Sequence, residues 1–350
     1  MSKGDGYRPT DHAAAVKKLH DTGATFARST TASRTGSYHD IAEILDPRKL
    51  KNGMRESCFH PGFASVLPII VSIDGTGSMS VVPHHVQADL PNLITLLNEQ
   101  GVSDNVNVMF MCHDDEHALP PDGVFQMSQF ETTAPTLVQA LNEMIIPGHG
   151  GGNDGEAYHI AFYAAARHTR LESFECDGTK GFFFMICDEQ PYYDAADPAL
   201  HGTLPHLAKE VFGDINQKEI TMLESVKEVV KRYHVFIIRP RCTSNGTDRS
   251  ITCMWQKLLS DAGENPQHVL EVERNEEIVS TMAMSVARLY GLEEDDIVDV
   301  LKAKGAVGIK GAVSATKNLV AVTGAGALVP STTTKAIKTT DGKTAQGRKR

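Results

Sequence analysis

Apolar segments of strand length alternate with amphipathic segments of helix length along most of the chain. Strands are predicted over residues 67–73, 106–112, 124–130, 182–187, 234–238 and 268–272. Helices are predicted over residues 84–99, 136–145, 157–165, 218–231, 251–262 and 275–290, and Pro91 should kink the first of them. Most of the strands are apolar throughout, which is typical of a sheet covered on both faces. The sequence therefore predicts an α/β fold with a doubly wound, mainly parallel, Rossmann-like sheet.

The two ends of the chain lack this alternation. Residues 1–63 have a mixed pattern with one possible helix at 12–19, and we expect an N-terminal extension that packs on the α/β domain of residues 64–291. Residues 292–350 are predicted to form an acidic helix over 293–302 and then a flexible tail without aromatic side chains. From residue 304 the tail carries nine basic residues and one acidic residue, although the whole chain has a net charge of −10. This charge alone predicts at most a nonspecific contact with an anionic partner. We therefore do not expect sequence-specific binding of nucleic acids.

Composition narrows the class of protein further. The six cysteines are scattered without a CxxC pair, which favours reduced thiols over a disulfide framework or a zinc site. No apolar run is long enough to cross a bilayer, and the first residues lack a secretory signal pattern. We therefore expect a cytoplasmic protein without a membrane partner.

The candidate chemistry begins where the first predicted strand ends. Asp74, Thr76 and Ser78 alternate with Gly75 and Gly77, which we expect to permit a tight turn. One carboxylate and two hydroxyls suit a hard cation such as Mg²⁺, whereas zinc would require His or Cys. Alternatively, these three are ordinary turn residues that cap the following helix.

Two later loops add oxygen ligands at positions where they could meet the first loop. A glycine-rich stretch over residues 148–154 leads to Asn153 and Asp154, and it lacks the Gly-Lys-Ser/Thr ending of a phosphate-binding loop. Asp188 follows the apolar strand at 182–187. Ligands of open α/β sheets bind at the carboxyl ends of the strands, where all three loops should lie.

These motifs together resemble the von Willebrand factor A (vWA) domain, in particular its stand-alone bacterial and phage members, and the likeness extends back to Arg55-Glu56-Ser57. The resemblance implies a metal-ion-dependent adhesion site that holds Mg²⁺ or Mn²⁺. Its ligands would be Asp74, Thr76, Ser78 and Asn153, with Asp154 as the other candidate in that loop. Asn153 stands where the family usually has threonine. Asp188 would orient a metal-bound water.

The resemblance also implies a function as a binding module. Because few protein charges would offset the cation, one open coordination position could accept a carboxylate from a protein partner. Intracellular members of the family often serve AAA+ ATPases or act as assembly components, so such a partner is expected for this chain.

Hydrolytic activity is the competing hypothesis. Residues 72–76 resemble the motif of haloacid-dehalogenase phosphatases, but Ser72 stands where the nucleophilic aspartate would be. A second version uses His113 and His117 as a metal centre with His84, His85 or His149. Residues 113–117 follow a strand directly, so we expect a solvated acidic loop there instead.

Overall fold

A six-stranded sheet forms the centre of the computed structural model, which describes residues 6–116, 119–148, 156–191, 203–216 and 220–322. The strands are β1 (Arg55–Ser57), β2 (Leu67–Asp74), β3 (Val106–His113), β4 (Phe125–Met127), β5 (Thr169–Leu171), β6 (Gly181–Ile186), β7 (Tyr233–Pro240) and β8 (Val269–Val272). The order across the large sheet is β4-β3-β2-β6-β7-β8, and only β4 is antiparallel to its neighbour among the described strands. The chain therefore moves outward in one direction from β2 and in the opposite direction from β6.

Twelve α-helices accompany the described strands. They are α1 (Pro9–Asp21), α2 (Ala27–Thr35), α3 (Val82–Glu99), α4 (Ala134–Asn142), α5 (Tyr158–Arg167), α6 (Glu172–Asp177), α7 (Thr203–Leu207), α8 (Met222–Arg232), α9 (Arg249–Ala262), α10 (Ile278–Leu289), α11 (Glu294–Ala303) and α12 (Ile309–Thr316). None of the described helices is long and apolar enough to cross a membrane.

The sheet separates two hydrophobic cores. In β6, Phe182 and Phe184 belong to the core that includes α3, α4 and α10, whereas Phe183 and Met185 belong to the core that includes α5, α8 and α9. Successive strand residues point to opposite faces, so an apolar strand can fill both cores at once. The predicted α/β class with a mostly parallel sheet is thus confirmed.

Helix α3 continues through Pro91, where the sequence predicts a kink. Proline has no N–H to donate to the carbonyl oxygen of Gln87, four residues earlier. His12 Nε2 lies 2.7 Å from that oxygen and donates to it, so the buried carbonyl keeps a partner. The N-terminal helix α1 thereby supplies the hydrogen bond that Pro91 removes.

The N-terminal extension contacts the α/β core at other points as well. The backbone N–H of Phe26 donates to Asn142 Oδ1 at 2.7 Å, and Met127 N of edge strand β4 donates to Leu45 O at 2.9 Å. Strand β1 pairs in parallel with β5 to form a separate two-stranded sheet. The extension therefore covers both a helix layer and one edge of the large sheet.

The expectation of a flexible tail beyond the acidic helix is wrong for residues 304–322. Helix α12 packs on the core with Ala312 and Thr316 fully buried. Gly311 permits this packing, since a Cβ there would lie 2.1 Å from Glu277 Cδ. Composition predicted disorder because small side chains bury little area each, but a glycine surface allows close contact. Residues 323–350 lie outside the described part of the chain.

Candidate functional site

Asp74 ends β2 and is completely buried. Its Oδ1 accepts hydrogen bonds from the backbone N–H of Thr76 at 2.9 Å and from the Thr76 hydroxyl at 2.6 Å. Its Oδ2 accepts a hydrogen bond from the Tyr158 hydroxyl at 2.7 Å. Ser78 lies on the short turn Gly77–Met79 and is exposed. The structure thus brings Asp74 and Thr76 together and leaves Ser78 on the outer side.

Gly75 and Gly77 are needed because neighbouring atoms approach them closely, and not because their backbone conformation is unusual. Neither glycine has a positive φ. A Cβ on Gly75 would lie 2.8 Å from Cys112 Sγ, and one on Gly77 would lie 3.0 Å from Gly148 O. The N–H of Gly148 also donates to Gly75 O at 3.0 Å. The glycine-rich loop therefore begins directly beside the Asp74 loop.

Asn153 and Asp154 lie outside the described residues, so their assignment as ligands remains a prediction. The described residues on either side of them are Gly148 and Glu156. Gly148 is held at the Asp74 loop, and Glu156 is buried two residues before Tyr158, whose hydroxyl reaches Asp74.

Asp188 follows β6 by two residues and is completely buried. Neither carboxylate oxygen of Asp188 has a hydrogen-bond partner among the described residues. The nearby Arg239 guanidinium donates to the backbone oxygens of Asp188 and Asn245, both at 2.9 Å. Arg239 therefore positions the loop that carries Asp188 and leaves the carboxylate itself unsatisfied.

Tyr158 connects Asp74 to the loop after β6, and the sequence analysis missed it. Its hydroxyl accepts a hydrogen bond from Glu189 N–H at 3.2 Å while it donates to Asp74. The carbonyl of Glu189 in turn accepts from Trp255 Nε1 at 2.9 Å. A tyrosine at the start of a helix of small residues was the only available signal. The one tryptophan of the chain is therefore connected to Asp74 through three successive hydrogen bonds.

Three more acidic side chains lie buried near Asp74. Two of them, Asp114 and Asp115, belong to the segment that the sequence predicted to be a solvated loop. His113, Asp114 and Asp115 are all buried, so the expectation of a solvated loop is wrong for residues 113–115. The reason is that β3 extends to His113, which pairs with Phe125 of β4, and Asp114 N–H donates to Val124 O at 3.0 Å. The third acidic residue is Glu156, ahead of α5. His113 Nε2 lies 3.2 Å from Met185 Sδ, deep in the core, and His117 lies outside the described residues.

The electrostatics of this cluster favour protons or a cation. Burial, reinforced by the neighbouring Asp188, raises the pKa of Asp74 to about 7. Burial raises the pKa of Asp114 to about 8, and burial with the charge of Asp74 raises the pKa of Glu156 to about 10. Carboxylates of like charge in a buried site cannot all ionise unless positive charge is supplied.

The available atoms fit a hard cation better than a zinc-type cage. In the described ranges, no group of three or more His, Cys, Asp or Glu side chains is arranged to hold a metal ion. A cation at Asp74 would therefore depend on hydroxyl oxygens and water as well as carboxylates. The unsatisfied oxygens of Asp188 are placed to accept hydrogen bonds from such waters.

Comparisons with known proteins give only remote likenesses. No protein-family model and no curated protein matches the chain. Among solved structures, the pilus adhesin SpaC from Lactobacillus rhamnosus GG is similar with 14% identity and a TM-score of 0.42, over 71% of this chain and 32% of the adhesin. Proximal thread matrix protein 1 from the mussel byssus is similar with 11% identity and a TM-score of 0.37, over 63% of this chain and 47% of that protein. The chain thus spans about a third and about a half of these two proteins, and the values are too low to indicate a shared function.

Proposed function

We propose that this protein is a divalent-cation-binding module with a doubly wound fold of the vWA type. The observation that carries the proposal is the Asp188 carboxylate, which is fully buried next to Asp74 with both oxygens unsatisfied in the described part of the chain. An ionised carboxylate without a partner in the protein interior is strongly unfavourable. A cation at Asp74 that carries ordered waters would remove this penalty.

The position of the site in the sheet supports the same proposal. The strand order reverses between β2 and β6; Asp74 is the last residue of β2, and Asp188 follows β6 by two residues. Open α/β sheets bind ligands in the crevice beyond the carboxyl ends of the strands at such a reversal. The order 3-2-1-4-5-6, counted along the large sheet, is also the order of doubly wound folds.

The ion would be Mg²⁺ or Mn²⁺, held by Asp74, Thr76 and Ser78 and by Asn153 or Asp154 from the undescribed loop. Bound there, it would offer a Lewis-acidic position to an oxygen ligand. Ser78 is the one exposed side chain among the three described ligands, so a partner would approach on its side. We propose that the partner is a protein that offers a carboxylate, such as an assembly component or an AAA+ ATPase.

The acidic neighbours correct one premise of the sequence analysis. The resemblance implied that few protein charges offset the cation, but Asp114 and Glu156 lie close enough to Asp74 that its charge helps to raise the pKa of both. Their negative charge would weaken the attraction for a partner carboxylate if they were ionised and uncompensated. Recruitment of an acidic partner therefore requires that these two groups be neutralised.

Calorimetric titration with Mg²⁺ and Mn²⁺ tests the proposal. The wild-type chain should bind a cation, and Asp74→Ala should weaken this affinity at least ~100-fold, because the remaining proposed ligands are mostly neutral oxygens. Asp122→Ala, which removes a half-exposed carboxylate outside the site, should bind like the wild type. Trp255 fluorescence provides a second readout, since Trp255 bonds to the Glu189 carbonyl. Absence of binding in the wild type, or equal binding by Asp74→Ala, would refute the proposal.

The hydrolase hypothesis gains no specific support from the described residues. His113 is buried against Met185, and Ser72, at the nucleophile position of the phosphatase motif, is completely buried within β2. Neither side chain is presented to a substrate.

A further inference from the structure

The cation proposed at Asp74 leaves two other buried carboxylates without compensation. They are Asp114, just after β3, and Glu156, just before α5. Asp114 follows β3 and Asp188 follows β6, the two strands on either side of β2, and Glu156 precedes α5, which contacts β3. We propose that Asp114 and Glu156 together hold a second divalent cation beside the first.

Two contacts bring the segments that carry these residues together. The rings of His113 and Tyr158 meet edge to face with their centroids 5.0 Å apart. His159 Nε2 lies 3.9 Å from Glu116 Oε1. Asp114 lies between His113 and Glu116, and Glu156 lies two residues before Tyr158. The carboxylates consequently lie close enough to interact electrostatically with each other and with Asp74.

Each of these carboxylates presents an unsatisfied oxygen inside the protein. Asp114 is 1% exposed; its Oδ1 accepts a hydrogen bond from Asp115 N–H at 2.7 Å, and its Oδ2 has no partner in the described ranges. Glu156 is 4% exposed, and its Oε2 likewise lacks a partner there. Two orphaned oxygens on two segments that are in contact indicate a missing ligand with positive charge.

Charge balance favours a second ion over a single shared one, an argument that rests on the proposed function. A divalent cation at the first position offsets Asp74 and Asp188. Asp114 and Glu156 then remain, and in the described part of the chain neither forms an ion pair with Lys or Arg. The buried guanidinium of Arg239 donates to backbone oxygens and to Thr252 and lies 3.9 Å from Glu271. One further divalent cation balances the remaining pair.

The ligands define the class of ion. Both are carboxylates, and Mg²⁺, Mn²⁺ and Ca²⁺ are hard cations that bind oxygen and complete their coordination with water. Mg²⁺ in particular binds through one or two carboxylates and keeps several waters. Two protein ligands are therefore sufficient, in agreement with the absence of a larger cage among the described residues.

The number of Mn²⁺ ions bound per full-length chain tests this inference. Electron paramagnetic resonance of free Mn²⁺ in a titration gives that number directly. We expect two ions for the wild type, and one each for Asp114→Asn, Glu156→Gln and Asp74→Ala. Glu131→Gln removes another partly buried carboxylate, which lies near Arg55 away from the cluster, and should leave two. Melting curves in chelator should confirm that every variant is folded.

The possible results separate this inference from the proposed function. One ion in the wild type that is lost in Asp74→Ala, but unaffected by Asp114→Asn and Glu156→Gln, overturns the second site and leaves the first intact. One ion whose affinity falls in all three variants means a single shared site and also overturns the inference. Two ions that persist in Asp114→Asn and Glu156→Gln overturn the assignment to these residues. No ion in the wild type refutes both proposals.

Discussion

The two ends of helix α5 carry buried polar groups of opposite kinds. At its carboxyl end, Asp214 Oδ2 lies 2.9 Å from His168 Nε2 and accepts a hydrogen bond from Tyr163, while His168 Nδ1 lies 2.7 Å from Gly53 O. The ring of Phe212 stacks on His168 with centroids 3.9 Å apart. At its amino end, Glu156 and the neighbouring Asp114 each present an oxygen without a partner in the described residues.

The difference teaches how to separate structural polar groups from ligand-binding ones. A buried network whose donors and acceptors all match stabilises the fold and needs nothing more. A buried group of like charges with unsatisfied oxygens destabilises the fold until a ligand compensates it. Mutations in a network of the first kind should change only the stability of the fold, whereas mutations in a group of the second kind should change ligand binding.

The largest effect on stability is expected for His168→Ala. The change removes the buried His168 ring that stacks on Phe212 and the partner of Asp214, a carboxylate that is 31% exposed, so the free energy of unfolding should fall by about 3 kcal/mol. Urea denaturation measures this loss, and His20→Ala, at an exposed position, is the control. Mn²⁺ binding by folded His168→Ala should equal that of the wild type. A change in metal affinity would break the distinction between the two ends.

A buried ionisable group can also avoid the need for a partner by remaining neutral, and His234 tests this third case. Burial lowers the pKa of His234 to about 3. The stability that depends on neutral His234 is therefore complete above the unfolded pKa of about 6.5 and is lost as the pH falls below it. At pH 5 the loss should be about 2 kcal/mol relative to pH 7.

The variant His234→Phe should remove this part of the pH dependence, since phenylalanine cannot take up a proton and can still pack on Phe182. Urea denaturation at pH 7 and pH 5 of both proteins measures the difference. The same pH dependence in both proteins would show that His234 is protonated in the folded state.

A smaller effect, but one with a diagnostic sign, is expected for Glu156→Gln. In chelator at pH 7 the variant should be more stable than the wild type by about 1 kcal/mol, because burial raises the pKa of Glu156 to about 10, so that folding requires uptake of a proton that an amide does not need. In saturating Mn²⁺ the order should reverse. Thermal melts under both conditions decide, and lower stability of the variant in both would place Glu156 in a satisfied structural role.

The sequence predicted the sheet well because strand burial is a local property of the chain. The apolar runs of β2 and β6 are visible without knowledge of their neighbours, and the structure confirms a mostly parallel sheet. Strand-end positions also predicted that Asp74 and Asp188 lie near each other, and Asp188 helps to raise the pKa of Asp74. Contacts between distant segments were not predictable in this way.

Three features escaped prediction for that reason. The bond from His12 to Gln87 O joins α1 to α3, so the sequence around Pro91 does not reveal it. Tyr158 reaches Asp74 across the top of the sheet, and no local pattern marks it. Asp114 is buried because β4 pairs back on β3, whereas its acidic neighbours in sequence indicated exposure to solvent.

The contact between Leu45 and Met127 has a consequence for solution behaviour. An uncovered edge strand offers free backbone groups on which a second chain can extend the sheet, and this is a common route to aggregation. Here Met127 N–H is already bonded to Leu45 O, and Arg55 donates to Met127 O at 3.3 Å. The N-terminal segment thus covers the antiparallel edge strand β4 and occupies its backbone hydrogen-bonding groups. A fragment that begins after residue 54 would expose that edge and should associate with itself as its concentration rises.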